Sequence, residues 1–324
     1  MTSVPLRTTI AIKSFRREEV FDAVASAVNQ IRPCVVLVVD DGSGHEFQKK
    51  LTSSIAKLRN VRTILLRSNF GIGYVDNLII QSADTEFLGF LDSDDLLSPH
   101  FVERMEESLD RNPRADFSYC RFVGGPQWHV EGQGKFKEVL KQGHLSALGT
   151  LFGRADSFRR LPALPTREEI GAAANACDDD RLSFELARTA IFVHVPEELY
   201  EYQDGASDRL TGDSEALGHS WRKLYLDYVA DYADASVTFY LGRHLARIQV
   251  AFFPRKKQLA FIESFISESR LQSGRFELFA GYYWALAVHA INRIFSTIGR
   301  HNQILVMRLS KVLRLKIDWP AKGS

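Results

Sequence analysis

Three carboxylates follow an apolar run in the first third of the chain. The run Phe-Leu-Gly-Phe-Leu at 87–91 is typical of a buried strand, and Asp92, Asp94 and Asp95 come directly after it. In open α/β sheets, ligands bind beyond the carboxyl ends of the strands, so acids at this position face a crevice. Three acids so close together repel one another, and a divalent cation that bridges to a diphosphate would relieve the repulsion. Carboxylate ligands of this kind suit Mg²⁺ or Mn²⁺.

A second interpretation of the same acids involves no ligand. Asp92 and Asp94 would then form a turn and cap the helix that Ser98 and Pro99 open. Aspartate at a helix N-cap accepts hydrogen bonds from amides that have no partner inside the helix. The acidic motif alone does not decide between the two interpretations.

Two further groups of acids occur along the chain. The valine-rich run at 34–39 predicts a parallel strand that is covered on both faces, and Asp40 and Asp41 follow it. Three aspartates at 178–180 precede a helical pattern. The helix macrodipole and N-capping explain one or two acids at the start of a helix, so three in a row indicate an additional role.

The composition is that of an ordinary globular protein. The chain has 324 residues, of which 45% are hydrophobic and 25% are charged, so it is long enough for one large domain or two. A net charge of +1 gives no reason to expect a nucleic-acid partner. The three cysteines are far apart in the sequence, which fits a reducing compartment, and the first residues lack the pattern of a signal peptide. We therefore expect a cytoplasmic protein.

The hydrophobic periodicity predicts strands and helices in alternation. Helices are predicted at 20–28, 46–58, 74–82 and 99–111. Strands are predicted at 8–12, 34–39, 61–66, 87–91, 115–123 and 148–152, followed by a closing strand pair at 191–195 and 198–202. This order predicts an α/β fold with a mainly parallel, doubly wound, Rossmann-like sheet and helices on both faces.

A change in pattern predicts two domains. Residues 203–214 are polar and contain glycine, so we place the boundary there, with one domain at 1–212 and an all-helical domain at 213–324. Within the second domain, the apolar stretch 278–291 is shorter than the roughly 20 residues that span a bilayer. We interpret it as a buried core helix.

The end of the chain is basic. Between 293 and 322, seven lysines and arginines face one acid, Asp318, and apolar residues interleave with them. This pattern is typical of an interfacial helix on an anionic membrane, and it also fits a helix that packs on the protein with its cations in water. The first alternative would place the protein at the inner membrane surface.

Taken together, these motifs resemble family 2 glycosyltransferases of the GT-A fold over about residues 8–207. Asp92-Ser93-Asp94 is similar to the metal-binding Asp-x-Asp motif of that family. Other segments match its first loop, its nucleobase loop, its third motif and the acidic pair that precedes its catalytic helix. In this sequence those segments are Lys13-Ser14-Phe15-Arg16, Asp40-Asp41-Gly42-Ser43, Asn69-Phe70-Gly71 with Asp76-Asn77, and Asp178-Asp179-Asp180.

The resemblance implies a role for each site residue. Phe15 would stack on the nucleobase of a nucleoside-diphosphate sugar, and Ser14 and Asp40 would hydrogen-bond its edge. Asp92 would contact the ribose or the metal, and Asp94 would hold Mg²⁺ or Mn²⁺. The implied donor-binding residues are therefore Ser14, Phe15, Asp40, Asp92 and Ser93.

The same resemblance implies an inverting transfer. Asp179 would take the proton from an acceptor hydroxyl as that hydroxyl attacks the anomeric carbon. An aspartate has an ordinary pKa near 4, and Asp178 and Asp180 would raise it. The implied catalytic residues are Asp179 and Asp178, and the implied acceptor is a glycan or a lipid-linked molecule.

Departures from the family pattern leave alternatives open. An arginine of the third motif is replaced by Asp76, which removes a cation from the nucleotide pocket, and the histidine that often follows the last strand is missing. Lys13 or Arg16 could supply the missing charge. A protein that binds a nucleotide sugar without turning it over is one alternative to a transferase, and a nucleotidyltransferase is another.

Overall fold

The structure is a computed structural model. It describes residues 5–124, 131–135, 138–139, 148–170 and 178–203, and in the remainder of the chain 220, 224, 239, 242–243, 245–246 and 279–287. The chain divides into two compact units, Met1–Ser220 and Trp221–Ser324. The boundary expected at 203–214 lies almost wholly outside the described residues, so the domain limits stay a prediction.

The first unit alternates strands and helices along most of its length. The strands are β1 (Thr8–Ser14), β2 (Val35–Asp40), β3 (Val61–Leu65), β4 (Phe87–Asp92), β5 (Leu96–Leu97), β6 (Phe117–Phe122), β7 (Leu151–Arg154) and β8 (Phe192–Glu201). The helices are α1 (Val20–Val28), α2 (His45–Ile55), α3 (Ile72–Ser82), α4 (Phe101–Arg111), α5 (Ala155–Arg160), α6 (Arg167–Ile170) and α7 (Asp178–Thr189), and a 3₁₀ turn covers Leu148–Thr150.

The described strands form one sheet in the order β3-β2-β1-β4-β7-β6-β8-β5. β3, β2, β1 and β4 run parallel to one another, and β6 is parallel to β8. β7 is antiparallel to both β4 and β6, and β5 is antiparallel to β8. The predicted α/β class is confirmed, and the sheet is mixed in its second half.

The parallel half of the sheet is apolar because helices cover it. All six residues of β2 are buried, and Ile10, Ile12 and Phe87 are fully buried in the neighbouring strands. Aromatic rings fill the layer beside β4, where the Phe87 and Phe152 rings have centroids 5.5 Å apart. A strand that helices cover on both faces of the sheet needs apolar side chains on both faces, and β2 has them.

Two details of the sequence-based prediction are wrong. The expected strand pair at 191–195 and 198–202 is the single strand β8, which shifts its register against β6 near Pro196. Proline cannot donate to the ladder, and here it marks an irregularity instead of a turn. The strand expected at 148–152 begins as the 3₁₀ turn and becomes β7 only at Leu151.

The described residues of the second unit are all helical. At 279–287 the Tyr282 side chain is buried, whereas Tyr283 and Trp284 are exposed. None of the helices among the described residues is long and apolar enough to cross a membrane. The basic segment 293–322 lies outside the described residues.

Candidate active site

The register of the parallel strands brings three predicted site residues to one edge of the sheet. In that register Ser14 at the end of β1 pairs with Asp40 at the end of β2, and Lys13 pairs with Asp92 at the end of β4. Because parallel strands end on the same side, the loops that follow β1, β2 and β4 meet there. We call this region the acidic edge.

Hydrogen bonds fasten the first two loops of the acidic edge together. The Arg16 amide donates to the Ser43 hydroxyl at 2.7 Å, and that hydroxyl donates in turn to the Asp40 carboxylate. The Asp41 amide donates to the Ser14 carbonyl at 2.8 Å. Arg16 has a positive φ of 55°, an uncommon conformation for a residue with a side chain, and the bond to Ser43 helps to hold it.

The two adjacent acids at the end of β2 have structural partners. Asp40 is fully buried and accepts hydrogen bonds from the Ser43 amide at 3.0 Å and from the Gln48 side chain at 2.7 Å. Asp41 accepts from the amides of Phe70 and Gly71, just before α3, at 2.7 and 2.9 Å. Burial raises the pKa of Asp41 in spite of these two bonds. A contact between Asp40 and a nucleobase stays a prediction.

A tight approach behind this loop requires a glycine. Gly42 has a φ of 75°, and a Cβ atom there would lie 2.3 Å from the backbone carbon of Ser68. The loop after β3 therefore packs directly on the loop after β2, which a larger residue at 42 would prevent.

Ser14 and Phe15 are placed differently from each other. Ser14 is buried, and its hydroxyl has no hydrogen-bond partner among the described residues. Phe15 is 37% exposed, and the Arg16 guanidinium lies 4.9 Å from the centre of its ring. One ring of the predicted nucleobase platform is thus accessible, and one buried hydroxyl beside it has hydrogen-bonding capacity to spare.

Basic side chains approach both carboxylates of the Asp-x-Asp motif. The Lys13 ammonium lies 3.6 Å from an Asp92 oxygen, and the Arg17 guanidinium donates a hydrogen bond to Asp94. The Asp92 side chain is 44% exposed and that of Asp94 is 17% exposed. Ser93 between them is buried. The repulsion expected among these acids is therefore reduced by cations from the end of β1 and the loop after it.

The third acid of the tip has a different environment. Asp95 is buried and accepts hydrogen bonds from the Tyr200 hydroxyl at 2.6 Å and from the Gln203 amide at 2.9 Å. The pKa of Asp95 is raised to about 6, because burial raises it by more than the two hydrogen bonds lower it. Asp95 thus ties the end of β4 to the end of β8.

The helix-cap interpretation of the acidic tip is wrong. Helix α4 begins at Phe101, its N-cap residue is His100, and no side chain caps it. Asp94 instead contacts Arg17, and the Asp92 carbonyl accepts from the Asp95 amide in a turn. The two acids of the motif are therefore not needed to hold the helix.

The donor set of Asp92 and Asp94 fits a divalent cation that also binds phosphate. Among the residues that the structure describes, no three His, Cys, Asp or Glu side chains form a metal cage. Mg²⁺ is commonly held by one or two carboxylates, with substrate phosphates and water as the other ligands. Two oxygen donors at a crevice edge match that arrangement.

Asp76, at the position of an arginine in the family pattern, forms a buried ion pair with Lys13. Asp76 on α3 is fully buried, and its carboxylate lies 3.3 Å from the Lys13 ammonium. Lys13, one of the two cations named as a source of the missing charge, thus lies on the neighbouring strand and pairs with Asp76, and its role toward a nucleotide stays a prediction. Sequence reasoning named Lys13 only as one candidate, because a contact between residues far apart in the chain requires the fold.

The predicted catalytic residues open helix α7. Asp179 lies in its first turn and is partly buried, whereas the side chain of Asp178 lies outside the described part of the chain. The helix packs against the 3₁₀ turn at 148–150, which also packs against β4. The roles of Asp178 and Asp179 stay predictions.

Asn77 of the third motif has a structural partner that the sequence did not indicate. Its side-chain amide donates to the Leu164 carbonyl at 2.7 Å and accepts from the Leu164 amide at 2.9 Å. A Cβ atom on Gly73, one turn earlier in α3, would lie 2.2 Å from the Pro165 oxygen. The segment between α5 and α6 is therefore fixed on α3.

Solved structures share this architecture. TarS 1–349 of S. aureus, in complex with UDP-GlcNAc, matches with a TM-score of 0.64 and 14% identity over 88% of this chain and 92% of that one. The mannosyltransferase PcManGT from Pyrobaculum calidifontis, in complex with GDP-Man and Mn²⁺, matches with a TM-score of 0.54 and 12% identity over 97% and 89%. These similarities define the class of the protein as an α/β fold of the GT-A type.

Sequence comparison finds a similarity to one family of enzymes over the first half of the chain. Residues 9–159 match the family model described as "Glycosyl transferase family 2". EpsH of Bacillus subtilis (strain 168), whose name classes it with the glycosyltransferases, is 34% identical over 209 residues. That alignment spans 59% of this chain and 58% of EpsH. Residues 9–159, which contain the acidic edge, are therefore similar to glycosyltransferase family 2.

Proposed function

We propose that this protein is an inverting, metal-dependent glycosyltransferase that moves a sugar from a nucleoside-diphosphate sugar to an acceptor hydroxyl. The observation that carries the proposal is the convergence of Ser14, Asp40 and Asp92 at one edge of the sheet, with Asp94 in the turn after β4, within the segment that matches the family 2 model. A nucleotide has polar edges that could satisfy the buried Ser14 hydroxyl, and a diphosphate suits the two acids through a shared cation.

The chemistry would be divided between two parts of the site. Asp92 and Asp94 would hold Mg²⁺ or Mn²⁺, which when bound supplies positive charge for the departing diphosphate. Asp179 would accept the proton of the acceptor hydroxyl, which attacks the anomeric carbon on the face opposite the leaving group. A single displacement of this kind inverts the anomeric configuration.

The ligands of the structural neighbours guide the choice of donor. TarS was solved with UDP-GlcNAc and PcManGT with GDP-Man and Mn²⁺. We expect a UDP-linked sugar for this protein, with a GDP-linked sugar as the other candidate. The acceptor would be a glycan or lipid-linked molecule of a bacterial-type envelope, reached from the cytoplasmic side.

The test is a donor screen followed by an assay of product. Nucleotide sugars are added with Mn²⁺, and the unfolding temperature is measured, because a ligand that binds the native state raises it. The donor that stabilises the protein is then incubated with candidate acceptors. Release of a nucleoside diphosphate supports transfer, whereas binding without release would favour a sensor and release of pyrophosphate a nucleotidyltransferase.

A further inference from the structure

The second acid of the Asp-x-Asp motif, Asp94, forms a partly buried ion pair. Arg17 lies in the loop between β1 and α1, and its guanidinium donates a hydrogen bond to an Asp94 oxygen. The two side chains are only 14% and 17% exposed. Charges that are partly removed from water interact more strongly than charges in bulk solvent, so this contact differs from an ordinary surface pair.

The first acid of the motif has a similar neighbour. The Lys13 ammonium, 9% exposed, lies 3.6 Å from Asp92 as well as 3.3 Å from the buried Asp76. A short segment of the chain, 13–17, thus brings one cation to each carboxylate of the motif. In the absence of a donor, the negative charge that would attract a divalent cation is partly neutralised by the protein itself.

A divalent cation and the Arg17 guanidinium compete for the same carboxylate. A cation bound to Asp94 would lie next to the guanidinium, and two positive charges at such a distance repel each other. The diphosphate of a donor is a suitable anion for a guanidinium that leaves Asp94, because the planar fork of arginine matches phosphate oxygens.

We propose that Arg17 is the resident counter-ion of Asp94, that a divalent cation displaces it, and that the guanidinium then turns to the donor diphosphate. This inference rests on the proposed function and adds a positioning residue to it. Its consequence is that metal and nucleotide bind cooperatively. Each strengthens the binding of the other, as thermodynamic linkage requires.

The first measurement uses Mn²⁺ alone. The ion is titrated into the full-length protein and followed by electron paramagnetic resonance, with wild type, Arg17→Met and Arg62→Met compared. Arg62 is the matched control because it forms an exposed Arg–Asp pair with Asp84, at 2.7 Å, near the amino end of β3 and not at the carboxyl ends of the strands, where the motif lies. We expect Arg17→Met to bind Mn²⁺ about tenfold more tightly than wild type and Arg62→Met to match wild type within about twofold.

The second measurement tests the coupling. UDP and GDP are each titrated with and without Mn²⁺ by calorimetry. In wild type, Mn²⁺ should strengthen binding of the preferred nucleotide, and in Arg17→Met that gain should be smaller by about tenfold. Arg17→Gln, which keeps a hydrogen-bonding group and loses the charge, should behave as Arg17→Met does and serves if the methionine variant does not fold.

Three results would overturn the proposal. They are an unchanged or weaker Mn²⁺ affinity in both Arg17 variants, no binding of Mn²⁺ to any of the proteins, and an unchanged coupling between Mn²⁺ and nucleotide. Neither measurement requires turnover of a donor. A protein that binds Mn²⁺ and nucleotide as expected and releases no nucleoside diphosphate would contradict the proposed function and leave the role of Arg17 standing.

Discussion

Asp94 and Asp95 are neighbours in the chain, but their carboxylates have different surroundings. Asp94 is partly exposed and contacts a guanidinium, whereas Asp95 is buried and accepts hydrogen bonds from Tyr200 and Gln203. A ligand that carries a cation can reach the first carboxylate, and the second joins two strands. Among the acids of the tip, Asp94 and the half-exposed Asp92 are therefore the ones suited to binding.

Asp94→Ala should abolish the Mn²⁺-dependent part of nucleoside diphosphate binding and leave the fold intact. The alanine would remove a predicted oxygen ligand and a charge, and helix α4 does not depend on Asp94 for its cap. Calorimetry with UDP and GDP, in the presence and absence of Mn²⁺, measures the effect. Asp84→Ala removes an exposed acid elsewhere and should bind as wild type does. An unchanged affinity in Asp94→Ala would rule out the metal assignment.

Asp179→Asn should lower the rate of transfer by about 10² or more while donor binding is retained. Asparagine preserves the shape of the side chain and its hydrogen bonding but cannot accept the proton of the acceptor. Turnover under saturating donor and calorimetric donor affinity are measured on the same preparation. If Asp179→Asn transfers normally and Asp178→Asn or Asp180→Asn does not, the base has been assigned to the wrong residue.

At the scale of elements, the site depends on how loops are tied to helices and strands. Asp41 joins the loop after β2 to the start of α3, and Asn77 joins α3 to the segment before α6. These bonds connect parts of the chain that are far apart in sequence. The loops of the acidic edge are therefore held by the same helices that cover the sheet.

The raised pKa of Asp41 predicts that the stability of the fold depends on pH, and it predicts the direction of that dependence. Because burial raises its pKa above the ordinary 3.8, the folded state holds the proton more tightly than the unfolded state does. The contribution of Asp41 to stability is therefore largest at low pH and is lost as the pH rises through the folded-state pKa. We expect the free energy of unfolding of wild type, relative to Asp41→Asn, to fall as the pH rises from about 4 to 7.

A matched control should show the opposite sign. The pKa of Asp84 is lowered, first by its hydrogen bond to Arg62, so its contribution is lost as the pH falls. Urea unfolding of wild type, Asp41→Asn and Asp84→Asn from about pH 2 to 7 measures both differences, because the contribution of Asp84 is lost only below its ordinary pKa of 3.8. A stability difference for Asp41→Asn that is flat or grows with pH would contradict the assignment.

Much of the fold could be predicted from the hydrophobic patterns of single strands and helices, whereas the contacts between distant residues could not. The apolar runs that end at Asp40 and Asp92 predicted two parallel strands with acids at one edge of the sheet. That prediction needed only the apolar runs and the alternation of strands and helices along the chain. The pairing of Arg17 with Asp94 and of Lys13 with Asp76 could not be predicted, because each joins residues more than 60 positions apart. The break predicted between strands at 191–195 and 198–202 is absent, because β8 continues through Pro196.

At the scale of the whole molecule, the sequence predicts a domain similar to glycosyltransferase family 2, followed by a helical domain with a basic end. The proposed acceptor is lipid-linked or part of an envelope glycan, and such a molecule lies at a membrane. Each lysine or arginine near an anionic membrane contributes roughly 1 kcal/mol to the free energy of binding, so several together give reversible attachment. We therefore propose that the C-terminal segment brings the enzyme to the inner membrane surface.

Replacing Arg308, Lys311 and Arg314 by glutamine should reduce co-sedimentation with anionic liposomes at low salt. The control replaces Lys49, Lys57 and Arg59, three exposed cations of the first unit, and so changes the net charge equally. Sedimentation should also weaken at high salt, because ions screen the attraction. Negligible sedimentation of wild type would exclude the membrane role and leave a helix that packs on the protein.

The most direct test of the proposed function is to identify the phosphorus-containing product by phosphorus NMR. Wild type, Asp94→Ala and Asp84→Ala are incubated with Mn²⁺, a membrane extract as a source of acceptor, and UDP-GlcNAc or GDP-mannose. We predict that wild type and Asp84→Ala release the nucleoside diphosphate from one donor and that Asp94→Ala releases none. Release of pyrophosphate, or a donor that binds wild type and stays intact, would contradict the assignment as a glycosyltransferase.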